Sequence, residues 1–217
     1  MHIQHRNFQN MLTSFYFEKI EIKSCVYCNS QLALTVRKVN GIKCAKFQVD
    51  HYYSKSEFPV FSISFYNLYP VCGPCNNSKS SNKVKFNLYS DSYNDFKTSK
   101  FKFEIDKKSI LKYRVNGIDS ELLIKFHEPT NANFKRTFAI EGIYETQKDI
   151  AEELVLKSMI YNKSYTDSLR IGLEKLYKDK APMLERLLVG NYTEENDIHK
   201  RPMAKFTQDL AKQLKLI

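Results

Sequence analysis

The hydrophobic positions change period several times along the chain. Phe8, Met11, Leu12, Phe15 and Tyr16 recur at helical spacing and predict an opening helix over Asn7–Ile20. Lys43-Cys44-Ala45-Lys46-Phe47-Gln48-Val49 reads as a strand running into Asp50-His51. Pro74 and the small polar residues Asn76 to Asn82 predict a turn opening a short helix, with asparagine as its cap. A polar turn at Ser90–Asp95 leads to three strands, Phe101–Ile105, Leu111–Val115 and Leu122–Phe126, the last two joined by Asn116-Gly117. The remainder is helical: Ile150, Leu154, Met159 and Ile160 mark one amphipathic helix, and Leu169, Leu173 and Leu176 a second. Met203, Phe206, Leu210 and Leu214 mark a last helix after Pro202, and Gly190-Asn191 punctuates the gap before it. The reading is an α+β chain of two parts, 1–90 and 91–217, the second with a small antiparallel sheet and a helical C-terminal region.

At 217 residues and 42% hydrophobic, the chain is able to bury a real core. No run of about 18 apolar residues is present, and Met1-His2-Ile3-Gln4-His5-Arg6 lacks a secretory apolar stretch, so the expectation is a cytoplasmic protein with no membrane partner. Thirty-four Lys and Arg against 24 Asp and Glu leave a net charge of +10, which favours a polyanionic partner, nucleic acid foremost. Many of these lysines cluster from Lys79 to Arg114. In Lys100-Phe101-Lys102-Phe103 the alternation assigns aromatics to a core face and lysines to the other.

Four cysteines form two close pairs, Cys25-Val-Tyr-Cys28 and Cys72-Gly-Pro-Cys75. In a reducing compartment such C-x2-C pairs favour metal over disulfides. Two knuckles separated by a long insertion are the common pattern of a tetrahedral structural Zn²⁺, although an iron–sulfur cluster uses the same ligand type. Cys44 is left over as a packing residue. His2, His5, His127 and His199 have no partner pattern and read as surface or satisfied histidines.

Between the knuckles lie Val49-Asp50-His51-Tyr52-Tyr53-Ser54-Lys55-Ser56 and Asn67-Leu68-Tyr69-Pro70-Val71-Cys72, followed by Cys75-Asn76-x2-Lys79. With this order the chain resembles the HNH endonucleases, the ββα-metal nuclease superfamily, in an H-N-N variant with Asn76 at the final histidine's place. The resemblance covers roughly residues 20 to 85. It implies an HNH core stapled by a four-cysteine zinc site and a metal-dependent endonuclease that hydrolyses DNA phosphodiester bonds. His51 would be the general base, since neutral imidazole suits proton abstraction near neutral pH. Asp50 and Asn76 would hold a catalytic Mg²⁺ or Mn²⁺ through oxygen, leaving most of its shell to water and phosphate. Asn67 would fix the loop and orient the imidazole, and Lys55 and Lys79 would contact phosphate.

Lys157-Ser158-Met159-Ile160-Tyr161 and His199-Lys200-Arg201-Pro202-Met203 are weakly similar to HNH proteins that stand beside ATPases in bacterial anti-phage defence, the Septu type among them. That resemblance implies the nuclease arm of such a system, with an ATPase partner. The rival reading is a zinc-ribbon module that holds nucleic acid without cutting it; a third, compatible with the nuclease, is an interaction subunit whose helical C-terminal half docks a partner while the nuclease stays inert until recruited.

Overall fold

A computed structural model describes residues 13–80, 82–89, 96–117, 121–178 and 184–217. The fold is α+β with small antiparallel sheets. The chain forms two compact units. The first takes the chain to Lys100 and adds Glu128–Ala139 and His199–Pro202. The second comprises Phe101–His127, Ile140–Ile198 and Met203–Ile217. A single division at 90/91 misses this, because segments distant in sequence return to complete the aromatic core of the first unit. Ser90–Asp95 and the first half of the expected opening helix lie outside the described residues.

The first unit begins with a helix described over 13–19 (α1). β1 (Leu34–Arg37) and β2 (Lys43–Lys46) pair antiparallel, and Gly41 sits in their connection at φ 80°, a conformation that glycine adopts without strain. β3 (Gln48–His51) pairs antiparallel with β4 (Leu68–Val71), setting His51 opposite Leu68. The continuous strand expected over Lys43–His51 is thus two strands, broken at Phe47, whose ring packs edge-on against Phe17 at 5.4 Å. α2 (Gly73–Lys79) follows β4 directly. Pro74 lies in its first turn, where the missing N–H costs nothing. Cys72, not an asparagine, is the N-cap, and Asn76 lies inside the helix.

In the second unit β5 (Lys102–Ile105) pairs antiparallel with β6 (Ile124–His127). Phe101 and Phe103 are buried and Lys102 is exposed, as the alternation requires. Between these strands runs a helix, α3 (Lys107–Asn116), where the sequence reading expects a strand over Leu111–Val115. Asp106 decides the matter: its carboxylate accepts from Lys108 N at 3.0 Å and Ser109 N at 3.3 Å, an N-cap that starts a helix. Asn116-Gly117 is then the end of that helix and not a hairpin turn, with Gly117 as its C-cap at φ 69°.

α4 (Phe134–Phe138) belongs to the first unit, and α5 (Ile140–Glu145), α6 (Lys148–Ile160), α7 (Lys163–Tyr177), α8 (Leu184–Val189) and α9 (Ala204–Gln213) to the second. The three helices expected from leucine spacing correspond to α6, α7 and α9. Phe103, Tyr144 and Phe206 form the centre of the second core, with ring centroids 4.2 to 5.2 Å apart. α9 also satisfies backbone groups of β5. Asp209 accepts from Phe103 N at 2.9 Å, while Gln213 accepts from Ile105 N at 2.9 Å and donates to Ile105 O at 2.7 Å. Among the described residues no helix is long and apolar enough to cross a membrane.

His199 departs from the surface or satisfied role assigned to it. Both its ring nitrogens are buried without a hydrogen-bond partner among the described residues, and this desolvation lowers its pKa to about 4. His127, by contrast, lies 3.3 Å from Glu104 at the surface. An unfolded chain binds the His199 proton near pH 6.5 and the folded one does so only near 4, so the folded state loses ground as pH falls. Full stability is expected above pH 6.5. About 3 kcal/mol should be lost on acidification to pH 4 from this group alone. Urea melts across that window, compared with His199→Leu, check it, and an unchanged pH slope in the variant would refute the assignment.

Candidate functional site

The first knuckle is a tight turn, in which Asn29 N donates to Cys25 O at 2.8 Å with Asn29 at φ 52°, a region that asparagine tolerates better than most residues. Val26 N donates to Pro70 O at 3.2 Å and thereby ties this turn to β4. The second knuckle is the β4–α2 junction, with Cys72 as N-cap and Cys75 in the first turn. The outcome is one cluster: the sulfurs of Cys25, Cys28, Cys72 and Cys75 all lie within 4.8 Å of one another and are buried. Cys28 Sγ and Cys72 Sγ are 3.9 Å apart. Tetrahedral thiolate coordination at about 2.3 Å per bond separates sulfurs by about 3.8 Å, so the donor set fits a metal ion. Burial, and then the neighbouring Cys28 and Cys72, push the Cys25 thiol well above its ordinary pKa, and a cation is what would make four thiolates tolerable there. Cys44 stands apart in β2.

Tyr27, inside the first knuckle, links this cluster to the next. Its ring stacks on Phe138 at 4.5 Å and meets Phe134 and Phe86 edge-on. Its hydroxyl donates to Asp50 Oδ2 at 2.5 Å. Burial, then the Asp50 charge, raises the phenol's pKa far above the ordinary value, so Tyr27 stays a donor. Lys79, reaching over from the last turn of α2, donates to Asp50 Oδ1 at 3.1 Å and to the His51 carbonyl at 3.1 Å. Asp50 and Lys79 are 8% and 6% exposed, so this is a buried ion pair.

That geometry corrects two expectations. Lys79 does not stand on a solvated face to meet phosphate, because its ammonium is buried against Asp50. Nor is the Asp50 carboxylate open to a divalent cation: both oxygens accept from protein donors, one of them already a cation. Asn76, the other expected ligand, donates from its amide to Gln48 Oε1 at 2.7 Å. That bond engages the nitrogen and leaves the Asn76 oxygen, so it is the filled Asp50 carboxylate that keeps the expected pair, as arranged, from holding a catalytic Mg²⁺ or Mn²⁺ together. Removing one partner of a buried pair leaves an uncompensated charge. Lys79→Met should therefore cost about 3–5 kcal/mol in urea melts, and pairing it with Asp50→Asn should recover much of that. A cost under about 1 kcal/mol, the range of exposed pairs, would count against the buried-pair description.

His51 closes β3, half-buried, with Nε2 3.1 Å from the Ser62 carbonyl. A carbonyl only accepts, so Nε2 carries the proton and Nδ1 keeps its lone pair. Burial lowers the ring's pKa below its ordinary value, and the charge of nearby, exposed Lys55 adds to this. Asn67, just before β4, is 3% exposed and braces the loop that follows His51. Its Oδ1 accepts from Tyr53 N at 2.6 Å, and its amide donates to Tyr53 O at 3.1 Å and Phe61 O at 3.0 Å. Tyr52 N donates to the Asn67 carbonyl at 3.0 Å.

β3, β4 and α2 therefore bring His51, Asp50, Asn67, Lys55 and Lys79 into one neighbourhood, and Asn76 lies on the same helix against Gln48. Sequence reasoning missed Tyr27, Gln48 and Ser62. Nothing in a tyrosine between two cysteines, or in a serine among Phe61 and Ile63, announces a partner across the fold. No protein-family profile, curated protein or solved structure matches the chain.

Proposed function

We propose that this protein is an endonuclease of the HNH type, hydrolysing DNA phosphodiester bonds with His51 as general base and a structural zinc on its four cysteines. The observation that carries the reading is the fixed tautomer. The Ser62 carbonyl holds Nε2–H, which turns the basic Nδ1 toward other partners, and Asn67 holds the loop that contains Ser62. A water poised at Nδ1 would lose its proton there and attack phosphorus as the P–O bond to the departing 3′-oxygen breaks, the leaving oxygen taking a proton from solvent, while exposed Lys55 offers positive charge to the phosphate oxygens. The order β3, β4, α2 and the net charge of +10 support the same reading. No step is assigned to a divalent ion, since Lys79 and Tyr27 fill Asp50. An ATPase partner in anti-phage defence belongs to this proposal as its outer part, resting on the two weakly similar segments.

Saturation of Asp50 favours one rival, a zinc-stapled module that binds nucleic acid without cutting it. Plasmid and a single-stranded circular DNA, each incubated with the pure chain, separate the two. Cleavage abolished by His51→Ala supports the nuclease, and a strict need for added Mg²⁺ or Mn²⁺ would bring a divalent ion into the mechanism. Tight binding with no cleavage under any of these conditions would overturn the reading.

A further inference from the structure

The loop after His51 builds a cleft of about 290 Å³, lined among others by Tyr52, Tyr53, Phe58, Lys83, Val84 and Lys85. Tyr53 and Phe58 are 47% and 41% exposed, with ring centroids 5.3 Å apart. Asn67 grips the Tyr53 backbone and not its side chain. Lys83 is almost fully solvated and its ion pair, with Glu57 at 3.4 Å, is one that solvent screens. Lys85 lies over the Phe96 ring at 5.2 Å, and Lys79 reaches the cleft with its charge neutralised by Asp50.

The Tyr53 and Phe58 rings also pack on Phe61, at 5.6 and 6.2 Å, and their part-exposed remainder beside solvated ammonium groups suits one ligand class. A base offers a flat π-face to the aromatics while its phosphates meet the lysines. The volume sits just under the roughly 300–1,000 Å³ of small-ligand sites, a size for one nucleotide and not for a helix or a folded partner. In a duplex the base faces are covered by their neighbours, so only an unpaired nucleotide is able to use the cleft. We infer that this cleft binds an unpaired base of a nucleic-acid strand and makes the protein a single-strand binder at the step before His51. The inference rests on the nucleic-acid reading above and names its substrate form.

Fluorescence anisotropy of the full chain without added Mg²⁺ or Mn²⁺ tests it, using a labelled oligothymidylate of about twelve nucleotides, its RNA counterpart and a duplex of equal length. Tighter binding of a single strand than of duplex is expected, and the DNA and RNA strands identify its source. Phe58→Ala should weaken single-strand binding about tenfold, Phe58→Tyr should restore it, and duplex binding should not change. Equal affinity for duplex and single strand, or a folded Phe58→Ala with undiminished single-strand affinity, overturns the cleft. Should Phe58→Ala fail to fold, the exposed Lys83→Glu carries the test, with weaker single-strand binding expected and unchanged binding overturning it. His51-dependent cutting without single-strand preference would sink the cleft alone. Single-strand preference without cutting would sink the nuclease alone.

Discussion

Cys72→Ser is expected to lose its bound metal and to unfold the first unit. Each knuckle is anchored to a different stretch of chain, the first by Val26 N on the Pro70 carbonyl and the second as the start of α2. A metal ion would join them at four sulfurs within 4.8 Å. Structural Zn²⁺ sites contribute on the order of 10–16 kcal/mol of apparent binding energy, comparable with or larger than the roughly 5–15 kcal/mol that holds a domain folded. Losing the site should therefore remove β4, α2 and the Tyr27–Asp50 contact together. Elemental analysis should give one zinc per chain in the wild type and far less in Cys72→Ser, with circular dichroism showing a lost cooperative transition. A folded, zinc-free wild-type protein would end the structural-metal assignment.

If the proposed nuclease reading holds, His51→Ala is expected to do the opposite: keep the fold and the metal while removing cleavage. The side chain is only half-buried and its single described hydrogen bond is to the Ser62 carbonyl, so its loss leaves one acceptor near solvent. Plasmid cleavage should fall by about 10²–10⁴, the contribution of one positioned general base. His51→Gln places a donor near Ser62 without an imidazole and should be as inactive as the alanine variant. Cleavage retained in both variants, with melting curves and zinc content unchanged, would exclude His51 as the base. On the proposed nucleic-acid reading, DNA binding by either variant should stay near the wild-type level, since that reading gives phosphate contact to lysines and not to His51.

The sequence by itself determined the parts of this protein whose physics is local. The C-x2-C spacing announced a four-sulfur cluster, because two ligands three residues apart in a tight turn converge on one point wherever the turn is placed. Helical spacing of Leu154, Leu169, Leu173, Phe206 and Leu210 announced the helices now seen as α6, α7 and α9. The alternation at Phe101 and Phe103 announced a strand with one buried face. Over Leu111–Val115 the same kind of reading failed, since the N-cap formed by Asp106 outweighed the pull of Asn116-Gly117 toward a hairpin.

Only the tertiary structure decided the state of the charged residues between the knuckles. Asp50 and Lys79 are 29 residues apart and read separately as a metal ligand and a phosphate contact. Antiparallel pairing of β3 with β4, and the direction of α2 after Cys72, bring them together in a site that excludes water. There an unpaired charge is far costlier than in solvent, so each becomes the other's partner. The Tyr27 hydroxyl, the Ser62 carbonyl that sets the His51 tautomer, and the desolvated His199 ring have the same origin. Burial is a property of the whole chain's packing, and a protonation or pairing state that depends on burial cannot be read from spacing along the chain.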